Sequence, residues 1–336
     1  MILYVVQRVL LTGLMLFGLI CITFTVSNVA PSDPAALAAG PDATRDMVET
    51  VRREYGLDKP LWEQFVRYVS DLARGDFGRS IVSTRAVGGE LAQYFPATFE
   101  LVMLAMGLGV LVGVPLGMLS AVYKNRPFDQ IVRVFAVSGV ALPAFWFGLV
   151  LQLAFAAQLD LLPTSGRLDI ASPPPPPVTR MYIVDAILAA DWPTLWDALA
   201  HSVLPAIVLS CPCLASILRV NRAEMVEVLS SDYIVAARAH GVTPWRIVAV
   251  HALRNAMLPT LAMIGLRYGW MLGSTVLVET VFDWPGIGLY AVSSAIAADF
   301  KPVMGVTLII GLNFMIANLV VDLLYGWLDP RLRAAQ

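Results

Sequence analysis

The sequence predicts an all-α integral membrane protein with six membrane-spanning helices and a helical insertion outside the membrane after the first of them. Three observations carry this. Of 336 residues, 58% are hydrophobic and only 14% charged, where a soluble domain carries about 25% charged residues. The mean hydropathy is +0.71. Six stretches, 9–29, 98–122, 131–157, 202–220, 256–278 and 303–327, reach the ~20 apolar residues that a bilayer crossing needs.

The first stretch follows Arg8 near the N-terminus, as a secretory signal would. Its apolar run exceeds the roughly 7 to 15 residues of a signal core, and Asn28-Val29-Ala30 is a poor cleavage site, so it is expected to be retained as a helix. Residues 31–97 are too long for a plain connector. Within them Leu61, Phe65, Val66, Val69, Leu72 and Ala73 recur at helical spacing between Pro60 and Gly75, which predicts an amphipathic helix in a small extracytoplasmic subdomain. The membrane core follows over 98–327, with Pro115, Pro143, Pro205 and Pro212 inside its spans, each removing a backbone donor and bending its helix. Residues 158–201 form an outside loop containing Pro173 to Pro177, an extended run that reads as a stiff spacer more readily than as a docking peptide. After it, 182–192 and 194–200 look amphipathic, are too short to cross, and are expected along the membrane surface. Residues 221–255 form a cytoplasmic loop and 328–336 a tail.

Basic residues near span ends gather on the cytoplasmic side. With the N-terminus inside, Arg8, Lys124, Arg126, Arg133, Arg219, Arg222, Arg238, Arg246, Arg254, Arg331 and Arg333 are cytoplasmic. The outside segment 279–302 then holds only Lys301, and 158–201 only Arg167 and Arg180. An even number of spans places the C-terminus inside as well.

The catalytic templates are absent from the sequence. Lys59, Lys124 and Lys301 follow Asp58, Tyr123 and Phe300, so no glycine-lysine pair of a phosphate-cradling loop exists. His201, His240 and His251 lack metal-ligand spacing, and no serine sits in a GxSxG turn. Cys21, Cys211 and Cys213 fall inside spans as packing residues, without a metal or a disulfide. The net charge of -2 and the lack of a basic patch give no sign of nucleic-acid binding.

The informative stretch is cytoplasmic. Asp232 is placed to cap a helix over Tyr233, Ile234, Val235, Ala236, Ala237, Arg238, Ala239 and His240, and Gly241 to end it in a left-handed turn. Thr243 and Pro244 then read as an N-cap and a first-turn proline, opening a second helix through Trp245, Ile247, Val250 and Leu253 toward the membrane. Alanines at 236, 237 and 239 make the first helix slim enough for a partner's groove. The residues alone fit a helix resting on lipid headgroups equally well.

Ala236-Ala237, three residues, then Gly241-Val242-Thr243-Pro244-Trp245 resembles the EAA loop of ABC importer permeases. Val235 stands where that pattern has glutamate. Leu253-Arg254 stands where Leu-Pro is expected, with Leu258-Pro259 following later, and His251-Ala252-Leu253-Arg254-Asn255-Ala256 is similar to the dipeptide, oligopeptide and nickel branch. So are Gly56-Leu57-Asp58-Lys59-Pro60, Gly75-Asp76-Phe77-Gly78-Arg79-Ser80, Phe95-Pro96-Ala97-Thr98, Pro115-Leu116-Gly117, Leu162-Pro163-Thr164-Ser165-Gly166 and Val278-Glu279-Thr280-Val281-Phe282-Asp283-Trp284-Pro285-Gly286-Ile287-Gly288.

The resemblance implies a type I ABC importer permease of the bacterial cytoplasmic membrane, similar to the first permease of the dipeptide system. It implies a second permease, two ATPase subunits or domains that hold the ATP and magnesium, and an extracytoplasmic binding protein. No cofactor is expected in this chain. Asp232, Tyr233, Ala236, Ala237, Arg238, Ala239, His240, Gly241, Thr243, Pro244 and Trp245 become the helix that couples to the ATPase. Peptides are the expected cargo, with nickel chelates, glutathione or haem as alternatives; an ion-coupled transporter would show inverted repeats and paired acids at midplane depth.

Charges inside the spans complete the list. Arg267 lies near the middle of the fifth span, where a charge is costly and faces a partner or a wet cavity. Two readings stand: a pathway residue meeting a peptide carboxylate, or a structural pair with a neighbouring helix. Glu100 and Asp322 are expected near water at span ends, and Asn313 and Asn318 in interhelical hydrogen bonds.

Overall fold

A computed structural model describes residues 2–29, 35, 43–54 and 58–328. Among them the regular structure is helical. The elements are α1 (Ile2–Val29), α2 (Arg45–Glu54), α3 (Leu61–Ala73), α4 (Val87–Val122), α5 (Pro127–Ala141), α6 (Ala144–Gln158), α7 (Tyr182–Leu188), α8 (Trp192–Leu229), α9 (Asp232–Ala239), α10 (Pro244–Val281), α11 (Ile287–Ile296) and α12 (Phe300–Leu328). Five of these are long and apolar enough to cross a bilayer, and α5 with α6 makes a sixth, broken crossing.

The centre of the protein is the pair α4 and α8, packed along their length. Gly109, Gly113 and Gly117 put a bare stripe on α4 at every fourth residue, which permits close approach of backbones. A Cβ at Gly113 would lie 3.1 Å from the Leu214 carbonyl oxygen of α8, and one at Gly117 only 2.8 Å from that of Leu218. The main apolar core forms around this seam from Leu101, Ala105, Leu209, Cys213 and Ile217, with Leu272 and Phe282 from the α10 side. At the margin α1 runs antiparallel to α12. Arg8 pairs with Asp322 at 3.2 Å, so the first span starts at the membrane face where the last one ends.

Three expectations change. The stretch 131–157 is not one helix: α5 and α6 meet at an angle of 106°. The cause is Pro143, which forces Leu142 out of the helical region to φ -77° and ψ 128°. The stretch 194–200 is no surface helix but the first turns of α8, whose start is fixed by the Asp191 carboxylate accepting from the Thr194 amide at 3.2 Å. Only Tyr182–Leu188 stands apart. The fifth span likewise begins far earlier than 256, because the second cytoplasmic helix runs into it without interruption.

Candidate functional site

The hairpin of α9 and the start of α10 is built by backbone chemistry. Ser231, not Asp232, holds the N-cap position of α9, with φ -75° and ψ 153°. Asp232 falls in the first turn instead, where its charge meets the positive end of the helix dipole. At the far end Gly241 takes φ +75°. Its amide donates to the Arg238 carbonyl at 3.0 Å and that of Val242 to the Ala237 carbonyl at 3.1 Å, the paired closure of a Schellman motif. Thr243 at the cap and Pro244 at the first position then open α10 as expected, although no side-chain bond closes this cap.

One residue ties α9 to the rest of the protein. Ile234 is fully buried among Met118 and Ala121 of α4, Met225 of α8, and Ile247, Ala252 and Ala256 of α10. Ala237 leans on the same cluster. Ala236 and Ala239 face outward with Tyr233, Val235, Arg238 and His240, and Gly241, Thr243, Pro244 and Trp245 are exposed beyond them. The alanines expected to form one slim side are thus split between the two faces. Tyr233 is held by Asn255, whose Nδ2 donates to its hydroxyl at 2.6 Å. Just past the hairpin, Ile247–Ala252 winds as a π-helix inside α10. Such widened turns are frequent at functional sites.

Behind the hairpin lies an ion pair that the sequence did not reveal. Asp129, at the start of α5, has 0% exposure. Its carboxylate accepts from Arg222 of α8 through Nε at 2.6 Å and Nη2 at 2.7 Å, from Ser120 Oγ of α4 at 2.5 Å and from the Asn125 amide at 2.9 Å. This fork locks the end of α4, the start of α5 and the end of α8 together about one helical turn from Met225, which supports Ile234. Arg222 stood in the sequence only as one more cytoplasmic charge.

The C-terminal end of α10 carries a second unforeseen cluster. Glu279 is fully buried. It accepts from Thr98 Oγ1 at 2.6 Å, and from the amides of Gly288 and Leu289 at 2.7 and 3.0 Å, so that it caps α11 across the turn 282–286. Trp284 Nε1 donates to the Ala97 carbonyl at 3.0 Å. Gly286 is required by space: a Cβ there would come 2.4 Å from both Glu279 Oε1 and Thr98 Oγ1. Glu100 is buried too, against the expectation of nearby water. It accepts from Arg167 Nη2 at 2.5 Å and from the Ile183 amide at 2.7 Å, and the Arg167 guanidinium stacks 3.7 Å from the Tyr182 ring centre. These contacts pin the base of the 158–191 loop, whose proline run is followed by a tight turn on Asp185. Burial opposes the charge of that carboxyl, but donation from Thr179, Arg180 and Val178 outweighs it and holds the group below the usual carboxylate range.

Arg267 lies half-buried on α10. Among the described residues no carboxylate pairs with it, and its Nε has no hydrogen-bond partner. Among the described residues the structural pair is therefore not formed. Tyr268, its neighbour, donates to Asn313 of α12, the interhelical bond expected there; Asn318 makes none among the described residues.

Apolar helices of spanning length, one of them continuous with a short helical hairpin, define an integral membrane protein of helical class. The family model for the binding-protein-dependent transport system inner membrane component matches residues 113–334, and its N-terminal companion matches 1–102. The chain belongs to this family of transport permeases. It is 46% identical over 95% of its length to the probable D,D-dipeptide transport system permease protein of Escherichia coli K12, covering 94% of that protein. It is 37% identical to the dipeptide transport system permease protein of the same organism, with 98% of each chain covered. The glutathione transport system permease protein of Escherichia coli K12 is likewise 37% identical, again with 98% of each covered. The MetNI methionine ABC transporter in its inward-facing form shares the fold at a TM-score of 0.51 and 15% identity, over 69% of this chain and 93% of that one.

Proposed function

We propose that this chain is one of two permease subunits of an ATP-driven importer of short peptides, and that α9 and the turn at Gly241 are where ATPase motion enters it. The observation that carries the coupling role is the hairpin itself. α9 is short, is stopped by a left-handed glycine, presents Tyr233, Val235, Ala236, Arg238 and His240 outward, and is fused through α10 to a full membrane span. A helix merely resting on headgroups has no need of that rigid fusion. The peptide relatives support the cargo, and the glutathione relative belongs to the same chemistry, since glutathione is itself a tripeptide.

In this reading two ATPase subunits bind ATP and magnesium on the cytoplasmic side, a second permease completes the pathway, and a binding protein delivers peptide from outside. Both termini are cytoplasmic, in keeping with the basic residues of the inner loops and the Arg8–Asp322 pair. Arg267 faces the pathway and meets the peptide carboxylate. Its lack of an acidic partner among the described residues favours that role.

The test is reconstitution of the whole transporter with its binding protein. Gly241→Val should leave assembly measurable while separating ATP hydrolysis from peptide uptake; wild-type coupling would sink the proposal. Uptake by the purified chain alone would favour an ion-coupled carrier instead. The cargo is read from which ligand, dipeptide, glutathione, nickel chelate or haem, raises the melting temperature of the cognate binding protein.

A further inference from the structure

We propose that α3 lies in the outer leaflet of the bilayer, where it presents Trp62 and Val66 to lipid acyl chains, rather than in a subdomain clear of the membrane. The inference rests on α1 crossing the bilayer and on how deep α3 touches it. The ring of Phe65 packs edge-on against Phe17 and Phe24 of α1, with centroids 6.2 and 5.2 Å apart, and Tyr68 lies 5.8 Å from Phe24.

Depth follows from position along α1. Its apolar stretch runs over 9–29 of the sequence. At ~1.5 Å per residue, Phe24 is about 8 Å and Phe17 about 18 Å inward from position 29. Half of the hydrocarbon core is about 15 Å. The Arg8–Asp322 pair anchors the other end of α1 at the opposite face, so the helix has no freedom to slide outward and lift α3 into water. Phe65 therefore sits within the outer leaflet.

The rest of α3 agrees with that depth. On a helix, Phe65, Tyr68 and Leu72 share the stripe that meets α1, and Trp62, Val66, Val69 and Ala73 fall on the stripe beside it. This second stripe is uncovered: Trp62 is 69% and Val66 59% exposed. Glu63, Arg67 and Asp71 occupy the opposite side, where Lys59 neutralises Glu63 at 2.5 Å and Arg67 approaches Asp71 at 4.0 Å. A helix apolar over one broad arc and self-paired in charge over the other lies along the bilayer with its apolar face sunk about 5–10 Å into the acyl boundary, which brings Trp62 and Val66 against acyl chains. Leu14, Ile22 and Val26 of α1 are likewise exposed apolar side chains. The occupant is lipid, not a second protein.

The experiment uses the assembled transporter in nanodiscs, made with ordinary phospholipid or with phospholipid brominated on its acyl chains. The emission lost on Trp62→Phe isolates the contribution of Trp62. Most of that contribution should disappear in brominated nanodiscs and survive aqueous iodide. Val66→Trp should add emission quenched in the same way, which keeps the test open if Trp62→Phe fails to assemble. Quenching by iodide alone would place α3 in water, and quenching by neither agent would mean a protein covers it; either result overturns the proposal. Leu14→Trp on α1 must be quenched by bromine throughout, and failure of that control would instead refute the crossing of α1.

Discussion

Asp129→Asn is the sharpest perturbation the structure offers. The substitution keeps the shape of the side chain but replaces an acceptor oxygen with an amide donor, so one arm of the Arg222 fork faces a donor. Breaking a buried ion pair costs about 3–5 kcal/mol, and a single hydrogen bond to a charged group about 1.5–3. Arg222 keeps 19% side-chain exposure, so water recovers part of its solvation. The expected loss is about 2–3 kcal/mol, toward the low end of these ranges. It is measured by denaturant titration in mixed micelles, or as a fall in melting temperature of about 3–4 °C. Asp129→Asn with Arg222→Gln removes both charges and should recover more than half of the loss. Basal ATPase activity of the assembled transporter should persist while its stimulation by loaded binding protein falls, because the fork supports Met225 and through it Ile234. A single variant within about 0.5 kcal/mol of the parent, or strictly additive losses in the double variant, would refute the clamp.

Gly286→Ala should destabilise the outer end of α10 by about 1–3 kcal/mol through overpacking against Glu279 and Thr98; an unchanged melting temperature would contradict the contact. At Gly241 the space around a Cβ is open, so only the left-handed backbone resists substitution. Gly241→Ala should therefore cost about 1–2 kcal/mol and leave uptake partly coupled, with the β-branched Gly241→Val worse in both respects. Arg267→Gln should raise the KM for peptides with a free C-terminal carboxylate several-fold and spare amidated ones; equal uptake of both by the variant and the parent would remove Arg267 from the pathway. Asp185 has a folded pKa below its unfolded value, so its contribution is present above pH ~4 and is lost as pH falls through the folded pKa. Proteolysis of the 158–201 loop should accelerate over that acid range, and Asp185→Asn should flatten the dependence.

What the sequence made legible follows from which forces act locally. The spans, the amphipathic pattern of α3 and the Gly241–Thr243–Pro244 punctuation depend on composition, period and backbone chemistry, all of which a short window contains. The right-angle break at Pro143 was visible as a kink but not in size, since a bend is set by what the two halves pack on. Asp129 with Arg222 spans 93 positions, and Thr98 with Glu279 spans 181. Each partner looked like an ordinary loop or span-end residue because pairing at such separation leaves no local trace. Glycine offered the one usable sign: the stripe at 109, 113 and 117, and Gly286 with Gly288, mark places where another backbone or carboxylate comes close.

The length of α10 has a mechanical consequence. With 38 residues it is a rod of about 57 Å, reaching from the hairpin turn at one membrane face to the Glu279 cap at the other. If such a rod pivots near its middle, a tilt of only about 10° carries its two ends about 5 Å in opposite directions. One side of the protein would narrow as the other widens, with no signal relayed from residue to residue. The π-wound turns at 247–252 are the weak place in the rod: sliding by one residue there would turn the upper part by about 100° and advance it about 1.5 Å. In the proposed coupling role, this helix would work as a seesaw with a slip joint near its hairpin end.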